Sequence, residues 1–463
     1  MTGKGAYQLE RRLLGKTGWE VSPVGFGSYR IDDKTPAHRE ALQAALTSGC
    51  NLIDTSSNYT DGGSERLIGS VVGAVKPRDE IHVVTKAGYV QGEQLELARL
   101  RISQGKPIPE MVQFAHDCWH CISPEFLSMQ IQRSLTRLGF ERLDALLLHN
   151  PEYFLRTEPD HAEYYRRIRQ AFEYLETEVE RGRIGWYGIS SNTLAHPKDA
   201  PDYTSLEVLL ELANAIRPDH HFAIIEFPFN LFEPGGALER NNSGKTVLEL
   251  AQENHLGVLT NRPLNAFNQG RLLRLADFPS HPARDLETEL QEALTHVMQL
   301  ESSYPESSDL PVKRMVWGHA IRKNFLTLVT PETWHQVRFG QIEPAIRGSL
   351  ELLAGHSELA PWADEYRFRT EELFEILTAY VESEASSNAK RLAAKLDELC
   401  PELKTEPTLV RKVLKLSLSV PGIDCVLLGM RQPRYVADAT ATAELIAPER
   451  ALATLQSLNE DPS

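Results

Sequence analysis

The sequence predicts an α/β protein built as a (β/α)8 TIM barrel, with a large helical insertion between the seventh strand and the last barrel strand. Short apolar runs alternate with amphipathic stretches of helical periodicity, which indicates parallel strands joined by crossover helices. The apolar runs number eight, as a closed barrel of this kind requires. The barrel is therefore expected over 1–278 and 405–463, and the helical insertion over 279–404.

The eight candidate strands are short, apolar and bounded by polar residues, glycine or proline. In chain order they are Val24–Gly27, Asn51–Thr55, Ile81–Lys86, Ala145–His149, Gly185–Ser190, Phe222–Phe227, Gly257–Asn261 and Asp424–Gly429. The segment Leu13–Gly18, with two glycines, precedes them and is typical of a hairpin.

Amphipathic stretches separate the strands, with apolar residues recurring every three or four positions. They are His38–Thr47, Glu65–Val75, Glu125–Leu138, Ala162–Arg181, Ser205–Ala215 and Thr246–Asn254. We interpret their apolar faces as core packing on the outside of the barrel.

Two stretches interrupt this alternation. Val90–His120 mixes glycine, proline and charge without clear periodicity, which predicts a long loop after the third strand. Pro279–Lys404 contains long helical patterns and no convincing strand. Because connections after barrel strands emerge on the active-site face, this insertion is expected to act either as a lid over the substrate or as a subunit interface.

Composition narrows the classes of partner. The chain has 463 residues, 64 acidic and 49 basic, with a formal net charge of -15 and no basic cluster. Nucleic acid is therefore not an expected partner. No apolar run is long enough to span a membrane, and Met1–Lys16 lacks the apolar core of a signal peptide, so a cytoplasmic protein without a membrane partner is expected. The oligomeric state is not indicated.

The five cysteines do not form the pattern of a disulfide framework, which suits a reducing compartment. Cys118-Trp119-His120-Cys121, preceded by His116, has spacing that could bind zinc. A structural zinc site normally takes its four ligands from two separated pairs. Ordinary loop cysteines are therefore the preferred interpretation, and no metal site is predicted.

Polar residues at the carboxyl ends of the predicted strands form the candidate catalytic set. Asp54 ends the second strand, Tyr59 follows in its loop, Lys86 ends the third strand and His149 ends the fourth. These strand ends face a common site in a β/α barrel. A lone Lys or Tyr there is commonly structural, and Asp54 by itself could cap a turn, but the four together indicate chemistry.

Each residue type suits carbonyl reduction. Hydride arriving at a carbonyl carbon leaves negative charge on the oxygen, so a proton donor must lie within about 3 Å of it. Tyr59 is the candidate donor, and Lys86 is expected to lower its pKa by stabilising the phenolate. Asp54 would hold Lys86 charged and in place. His149 would orient the carbonyl and stabilise the developing oxyanion.

The motifs around these residues resemble those of the aldo-keto reductases and occur in the same order. The resemblance covers the whole barrel but does not extend to Val90–His120 or Pro279–Lys404. The motifs are Gly25–Arg30, Asn51–Tyr59 followed by Gly63–Glu65, Val84–Lys86, Leu146–Pro151 and Gly182–Ser190. The resemblance implies an oxidoreductase that acts on a small-molecule carbonyl or alcohol. It also implies NADP(H) bound across the strand ends, and no G-x-G-x-x-G follows a strand to suggest a Rossmann domain.

By position, the resemblance assigns Ser28, Tyr29 and Asp54 to the nicotinamide end of the cofactor. Ser190, with Ser191 or Asn192, would hold the carboxamide. Glu226 stands where the family usually has glutamine. A carboxylate can accept a hydrogen bond from the amide NH2 but cannot donate one.

The last two strands supply further cofactor candidates. Asn261, followed by Arg262, stands where many members place an aromatic residue that stacks on nicotinamide. Gly429, Arg431 and Arg434 resemble the segment that holds the adenosine 2′-phosphate. Guanidinium suits phosphate, so NADP(H) is favoured. NAD(H) remains possible, because either arginine could simply be exposed at a helix start.

Two other functional classes are consistent with parts of the sequence. One is a cofactor-binding regulatory or interaction subunit with little turnover, whose helical insertion docks a partner. The other is a barrel hydrolase, which would need paired carboxylates or metal ligands at strand ends. Asp54 and Glu226 do not form such a pair if Lys86 binds the first.

Overall fold

The computed structural model describes residues 10–268, 271–279, 284–304, 315–325, 330–441 and 444–460. The chain divides into two compact units. The first comprises Met1–Leu275 and Leu396–Ser463, and the second comprises Ala276–Lys395.

The first unit contains a closed barrel of eight parallel strands, which confirms the predicted fold class. The strands are β1 (Val24–Gly27), β2 (Leu52–Asp54), β3 (His82–Ala87), β4 (Leu143–His149), β5 (Ile184–Ser190), β6 (Phe222–Pro228), β7 (Gly257–Asn261) and β8 (Cys425–Gly429). The barrel closes where β8 pairs with β1. All eight predicted strands are present, with ends moved by no more than two residues.

Helices surround the barrel in the first unit. They are Pro36–Thr47, Gly63–Val71, Pro124–Leu138, His161–Glu180, Leu206–Ile216, Val247–Glu253, Leu409–Leu418, Pro433–Thr440 and Pro448–Glu460, with the short Tyr153–Thr157 and Gly235–Leu238. Several begin at a side chain that caps them. Ser123 Oγ accepts a hydrogen bond from Phe126 N, and Thr246 and Glu249 form a reciprocal capping box. Such caps satisfy amide groups that have no partner within the helix.

Short elements complete this unit. The 3-10 turns are Gly15–Thr17, Tyr59–Gly62, Arg78–Glu80 and Pro401–Thr405. As predicted, the chain opens with a hairpin, formed by Arg12–Leu13 and Glu20–Val21. A second antiparallel pair, Asn265–Asn268 with Arg271–Arg274, follows β7. The sequence analysis did not anticipate that second pair.

The stretch Val90–His120 is more ordered than the predicted loop. Tyr89–Val90 pairs with Trp119–His120, and a helix runs over Glu93–Ser103. In this helix Leu95 and Ala98 are buried in a small cluster of their own. The prediction was wrong because Leu100 and Ile102 are exposed, so apolar residues occur on both faces and helical periodicity is hidden.

The second unit is helical, as predicted. Its helices are Leu286–Ser302, Trp317–Lys323, Pro331–Val337, Glu343–Leu353 and most of Ala360–Leu399, with a π-helical turn at Arg338–Ile342 and a 3-10 turn at Ser357–Leu359. They enclose a core that includes Trp334, Tyr366 and Phe374. Among the described helices of the chain, none is long and apolar enough to cross a membrane.

Candidate active site

The alternation of the barrel strands brings the polar candidates together. Leu52, Val84, Leu147, Ile224 and Leu259 belong to one apolar cluster. Since side chains two positions apart on a strand share a face, the residues two positions later face the same interior, one layer nearer the carboxyl ends. Those residues are Asp54, Lys86, His149, Glu226 and Asn261.

Lys86 lies at the centre of this layer, with its side chain fully buried. Its Nζ forms a hydrogen-bonded ion pair with Asp54 Oδ1. The Nζ atom also lies 3.5 Å from the Tyr59 hydroxyl and 3.2 Å from Glu226 Oε2. The structure therefore places Asp54, Tyr59 and Lys86 together, as the sequence predicted, and adds Glu226 to them.

Tyr59 reaches this cluster from the loop after β2. The turn that carries it contains Thr60 and Asp61, which have positive φ angles of 48° and 53°. Thr60 Oγ1 donates to the carbonyl oxygen of Ile31 at 2.6 Å and so anchors the turn. Non-glycine residues rarely adopt positive φ, and such strain concentrates at functional sites.

Burial determines the protonation of Tyr59. Burial of its hydroxyl raises the pKa of Tyr59, and the attraction of Lys86 offsets this only in part. The expectation that Lys86 would bring the pKa below its ordinary value is therefore wrong for this structure. At neutral pH the phenol retains its proton and can act as a donor.

The two carboxylates affect Lys86 and each other. Burial by itself lowers the pKa of Lys86, but Asp54 and Glu226 outweigh this and raise it. Burial and the neighbouring Glu226 raise the pKa of Asp54 well above its usual range, although Lys86 opposes the shift. The ammonium is thus held charged, while the two carboxylates compete for it.

His149 ends β4 beside the tyrosine. Its ring centroid lies 5.9 Å from that of Tyr59, and its Nδ1 lies 3.0 Å from Ser56 Oγ. Burial, then the charges of Lys86 and His120, lower the pKa of His149 well below its usual range. The imidazole is therefore neutral at physiological pH. Ser56 Oγ also lies 2.6 Å from Asn58 Oδ1, so its single proton can serve only one of the two.

The backbone at His149 is held by residues that sequence reasoning did not single out. His120 Nε2 donates to the His149 carbonyl oxygen at 2.7 Å. A Cβ on Gly88 would lie 2.4 Å from that same oxygen, so glycine is required at this point. The next residue, Asn150, has a φ of 49° and donates through Nδ2 to the Tyr89 hydroxyl at 2.8 Å.

Aromatic rings form a wall around His149 and Tyr59. Tyr89 lies edge-on to His149 with ring centroids 4.7 Å apart, and Tyr153 contacts both Tyr89 and Phe114. Tyr29 lies edge-on to Tyr59 at 5.2 Å. We call Tyr29, Tyr89, Phe114 and Tyr153 the aromatic wall. Three of its members come from the connections after β3 and β4, where no sequence pattern indicated them.

Asn261 and Glu226 are linked across neighbouring strands. Asn261 Nδ2 donates to Glu226 Oε1 at 2.7 Å. Glu226 Oε2 and Asn261 Oδ1 are buried atoms without a hydrogen bond among the described residues, although Glu226 Oε2 has its ion pair with Lys86. Asn261 Oδ1 thus remains open to a donor, whereas Glu226 Oε2 already faces the Lys86 ammonium.

The candidate carboxamide-binding residues at the end of β5 differ in whether their polar groups are free to bind a ligand. Ser190 is buried at the strand end, beside Glu226 in the sheet register. Ser191 Oγ lies 3.2 Å from Thr193 Oγ1 and is already used inside the protein. The backbone amide of Asn192 donates to Glu152 Oε1 at 2.9 Å. Glu152 is fully buried and burial raises its pKa to about 7; the sequence analysis missed it.

The two candidates that follow the first strand, Ser28 and Tyr29, also differ in how accessible they are to a ligand. Ser28 is fully buried, and its Oγ accepts a hydrogen bond from Ser64 Oγ at 2.7 Å. Its side chain therefore presents no exposed surface to a ligand. Tyr29 is 62% exposed, so its ring is accessible from the barrel mouth.

The remaining candidates lie after β7 and β8. Arg262 has a φ of 54°, and its Nη2 forms an ion pair with Glu233 Oε1 at 2.7 Å. Gly429 is exposed at the end of β8, and Arg431 and Arg434 are exposed beyond it. Arg431 forms no ion pair with any other described residue.

The cysteine pair does not form a recognisable metal site. Cys121 is buried, with its Sγ 3.3 Å from the Pro109 carbonyl oxygen and 3.2 Å from Ser123 Oγ. Over the described ranges, no group of three or more His, Cys, Asp or Glu side chains could hold a metal ion.

A sequence model of the Aldo/keto reductase family matches residues 23–460. The chain belongs to the aldo-keto reductase family. This membership confirms the resemblance drawn from the motifs and the expected class, oxidoreductases that use NADP(H) or NAD(H).

Two curated relatives of this aldo-keto reductase illustrate the match. L-galactose dehydrogenase of Arabidopsis thaliana is 33% identical over 133 residues, which cover 26% of this chain and 40% of that protein. D-threo-aldose 1-dehydrogenase of a Pseudomonas species is 28% identical over 279 residues, covering 58% of this chain and 71% of that protein. The matched part thus spans less than half of the first relative.

Solved structures agree on the fold of this aldo-keto reductase. The glycerol dehydrogenase of Gluconobacter oxydans has a TM-score of 0.51 at 17% identity and covers 98% of each chain. At that identity the likeness concerns the fold alone.

The polar atoms of this aldo-keto reductase fit a nicotinamide carboxamide. The acceptor Asn261 Oδ1, which has no hydrogen bond among the described residues, matches a donor of an amide NH2 group. The exposed guanidinium groups of Arg431 and Arg434 match a phosphate. The residues present are therefore compatible with the cofactor of the family.

Proposed function

We propose that this aldo-keto reductase transfers hydride between NADP(H) and a small carbonyl or alcohol, with Tyr59 as general acid and base. The observation that carries the proposal is the contact of the Tyr59 hydroxyl with Lys86 Nζ at 3.5 Å, beside the Lys86–Asp54 ion pair. A proton donor and the charge that stabilises its conjugate base thus meet at the open end of the barrel.

NADP(H), when bound, would supply the hydride in reduction and accept it in oxidation. Tyr59 gives its proton to the oxygen of the reacting carbonyl and becomes a phenolate. Lys86 stabilises that phenolate, and Asp54 keeps Lys86 in position and charged. In the oxidation direction, the phenolate takes the proton from the alcohol.

His149 orients the reacting oxygen. A neutral imidazole carries one proton, and this role requires it on Nε2, the tautomer in which Ser56 Oγ donates to Nδ1 at 3.0 Å instead of to Asn58 Oδ1. Nε2 can then donate to the carbonyl oxygen and stabilise the negative charge that develops there. The hydrogen bond from His120 to the backbone of His149 supports this position.

Cofactor binding uses the remaining candidates. Ser190, Ser191, Asn192, Glu226 and Asn261 would surround the carboxamide, with the backbone of Ser28 and the ring of Tyr29 nearby. Arg262 would approach the cofactor from the end of β7. Gly429, Arg431 and Arg434 would hold the 2′-phosphate, and their exposed positive charge supports a preference for NADP(H) over NAD(H).

The aromatic wall supports a polyhydroxylated substrate such as a sugar. Its rings offer apolar faces for carbon–hydrogen groups, while the hydroxyl group of the exposed Tyr29 offers a hydrogen bond. The two relatives are named for L-galactose and D-threo-aldose. A cytoplasmic location is consistent with five cysteines that form no disulfide among the described residues.

The test is Tyr59→Phe, measured with NADPH and a panel of aldehydes, and with NADP⁺ and a panel of sugars. We expect turnover to fall by about 10² to 10⁴ with nearly unchanged cofactor affinity, because only proton transfer is lost. Tyr174→Phe, on the flanking helix His161–Glu180, is the matched control and should keep full turnover.

Near-normal turnover in Tyr59→Phe would remove Tyr59 from the role of general acid. A wild-type protein that binds NADPH tightly but turns over no member of either panel would instead favour a regulatory or interaction subunit.

A further inference from the structure

Lys86 is shared between two buried carboxylates. The side chains of Lys86, Asp54 and Glu226 are 0%, 5% and 2% exposed. Asp54 on β2 and Glu226 on β6 each form an ion pair with Lys86 Nζ.

Asn261 keeps the second carboxylate in this arrangement. Its Nδ2 donates to Glu226 Oε1 at 2.7 Å, which leaves Oε2 towards Lys86. Glu226 is also close to the proposed carboxamide residues, because it pairs with Ser190 in the sheet and its carbonyl oxygen accepts from Ser191 N at 2.9 Å. The carboxyl group of Glu226 therefore lies beside the part of the mouth assigned to nicotinamide.

We propose that Glu226 makes this site favour the oxidised over the reduced form of its nicotinamide cofactor. The inference rests on the proposed function, and it makes Glu226 an electrostatic determinant of the bound cofactor's oxidation state. A glutamine at this position would have the same size and could keep the bond from Asn261, but it would carry no charge.

The physical reason is the charge of the nicotinamide ring, which is positive in NADP⁺ and neutral in NADPH. The phosphates and the ribose are common to both forms, so their contacts cancel in a comparison of the two affinities. A carboxylate in a buried site attracts a positive ring more strongly than one in water would. Such differential binding shifts the equilibrium between the two bound forms.

The experiment measures the dissociation constants of NADP⁺ and NADPH by calorimetry, without turnover. In Glu226→Gln we expect the ratio of the NADP⁺ constant to the NADPH constant to rise about tenfold, as loss of a buried charge interaction implies. Glu176→Gln is the matched control, because Glu176 is a buried carboxylate that contacts His221, just before the opposite end of β6. It should leave the ratio unchanged.

A second pair of variants separates charge from shape. Glu226→Asp retains the charge and should keep the ratio near the wild-type value, whereas Glu226→Asn should raise it. This pair also supplies the comparison if Glu226→Gln does not fold.

An unchanged ratio in the folded neutral variants overturns the inference and leaves the proposed function intact. A wild-type protein that binds neither nucleotide overturns both.

Discussion

The protonation states of Tyr59 and His149, at the mouth of this barrel, are set by burial more than by the charge of Lys86. Tyr59 keeps its proton although an ammonium lies 3.5 Å away, and His149 is neutral. Both states suit a site that donates protons and hydrogen bonds to a carbonyl oxygen. The identity of these residues was predictable from strand-end motifs. The direction of the Tyr59 shift was not, because burial is a property of the packed structure.

Glu152 provides a test of burial at the residue scale. Its pKa of about 7 lies above the ordinary value for glutamate of about 4.3. The folded state therefore binds this proton more tightly than the unfolded state. This contribution to the free energy of unfolding is complete below pH about 4.3 and is lost as the pH rises through about 7, at a total of about 4 kcal/mol.

Glu152→Gln mimics the protonated side chain. We expect its free energy of unfolding to fall less than that of wild type between about pH 5 and about pH 8. Denaturant unfolding at each pH measures the free energy of unfolding of both proteins. Glu158→Gln, an exposed glutamate in the same connection, should behave as wild type. Parallel pH profiles for wild type and Glu152→Gln would contradict the raised pKa.

At the scale of elements, the strands were predictable and the connections were not. An apolar strand in a barrel is buried on both faces and therefore has a clear sequence signal. The helix Glu93–Ser103 is buried only on one side through contacts with residues such as Trp119 and Phe126, so its sequence carries a weak signal. The aromatic wall likewise depends on how the connections after β3 and β4 fold back.

The connection after β8 carries the element-scale prediction on cofactor preference. Arg431 is exposed between the end of β8 and the helix Pro433–Thr440. In Arg431→Ala we expect NADPH affinity to fall about tenfold and NADH affinity to fall much less, because only NADPH carries a 2′-phosphate.

Calorimetric titration of each nucleotide makes this comparison, and Arg450→Ala, an exposed arginine of the helix Pro448–Glu460, serves as the control. Equal losses for the two nucleotides would remove Arg431 from the phosphate site.

At the scale of the whole molecule, the chain combines a barrel with a second helical unit that has its own apolar core. The unit follows β7 in the chain, and connections after barrel strands commonly contribute to the active site. The insertion was predicted over 279–404, and the compact unit is Ala276–Lys395. We propose that this unit takes part in the reaction rather than in subunit assembly.

Replacing Ala276–Lys395 with a short flexible linker should raise KM and lower kcat. The number of subunits in the assembly should stay the same as in wild type. Loss of water exclusion or of substrate contacts would change both constants. Steady-state kinetics and light scattering measure the two effects. A soluble variant with unchanged kinetics and a smaller assembly would favour a subunit interface instead.

The sequence by itself determined the barrel, its eight strands and the residues that end them, because these follow from local apolar patterns and from motifs that span a few residues each. Only the tertiary structure decided that Glu226 joins Asp54 on Lys86, that Asn261 bonds to Glu226, that Ser28 is enclosed, and that Glu152 lies buried beneath Asn192. These contacts join residues from strands and loops far apart in the chain, and their energies depend on burial and distance, which no local pattern records.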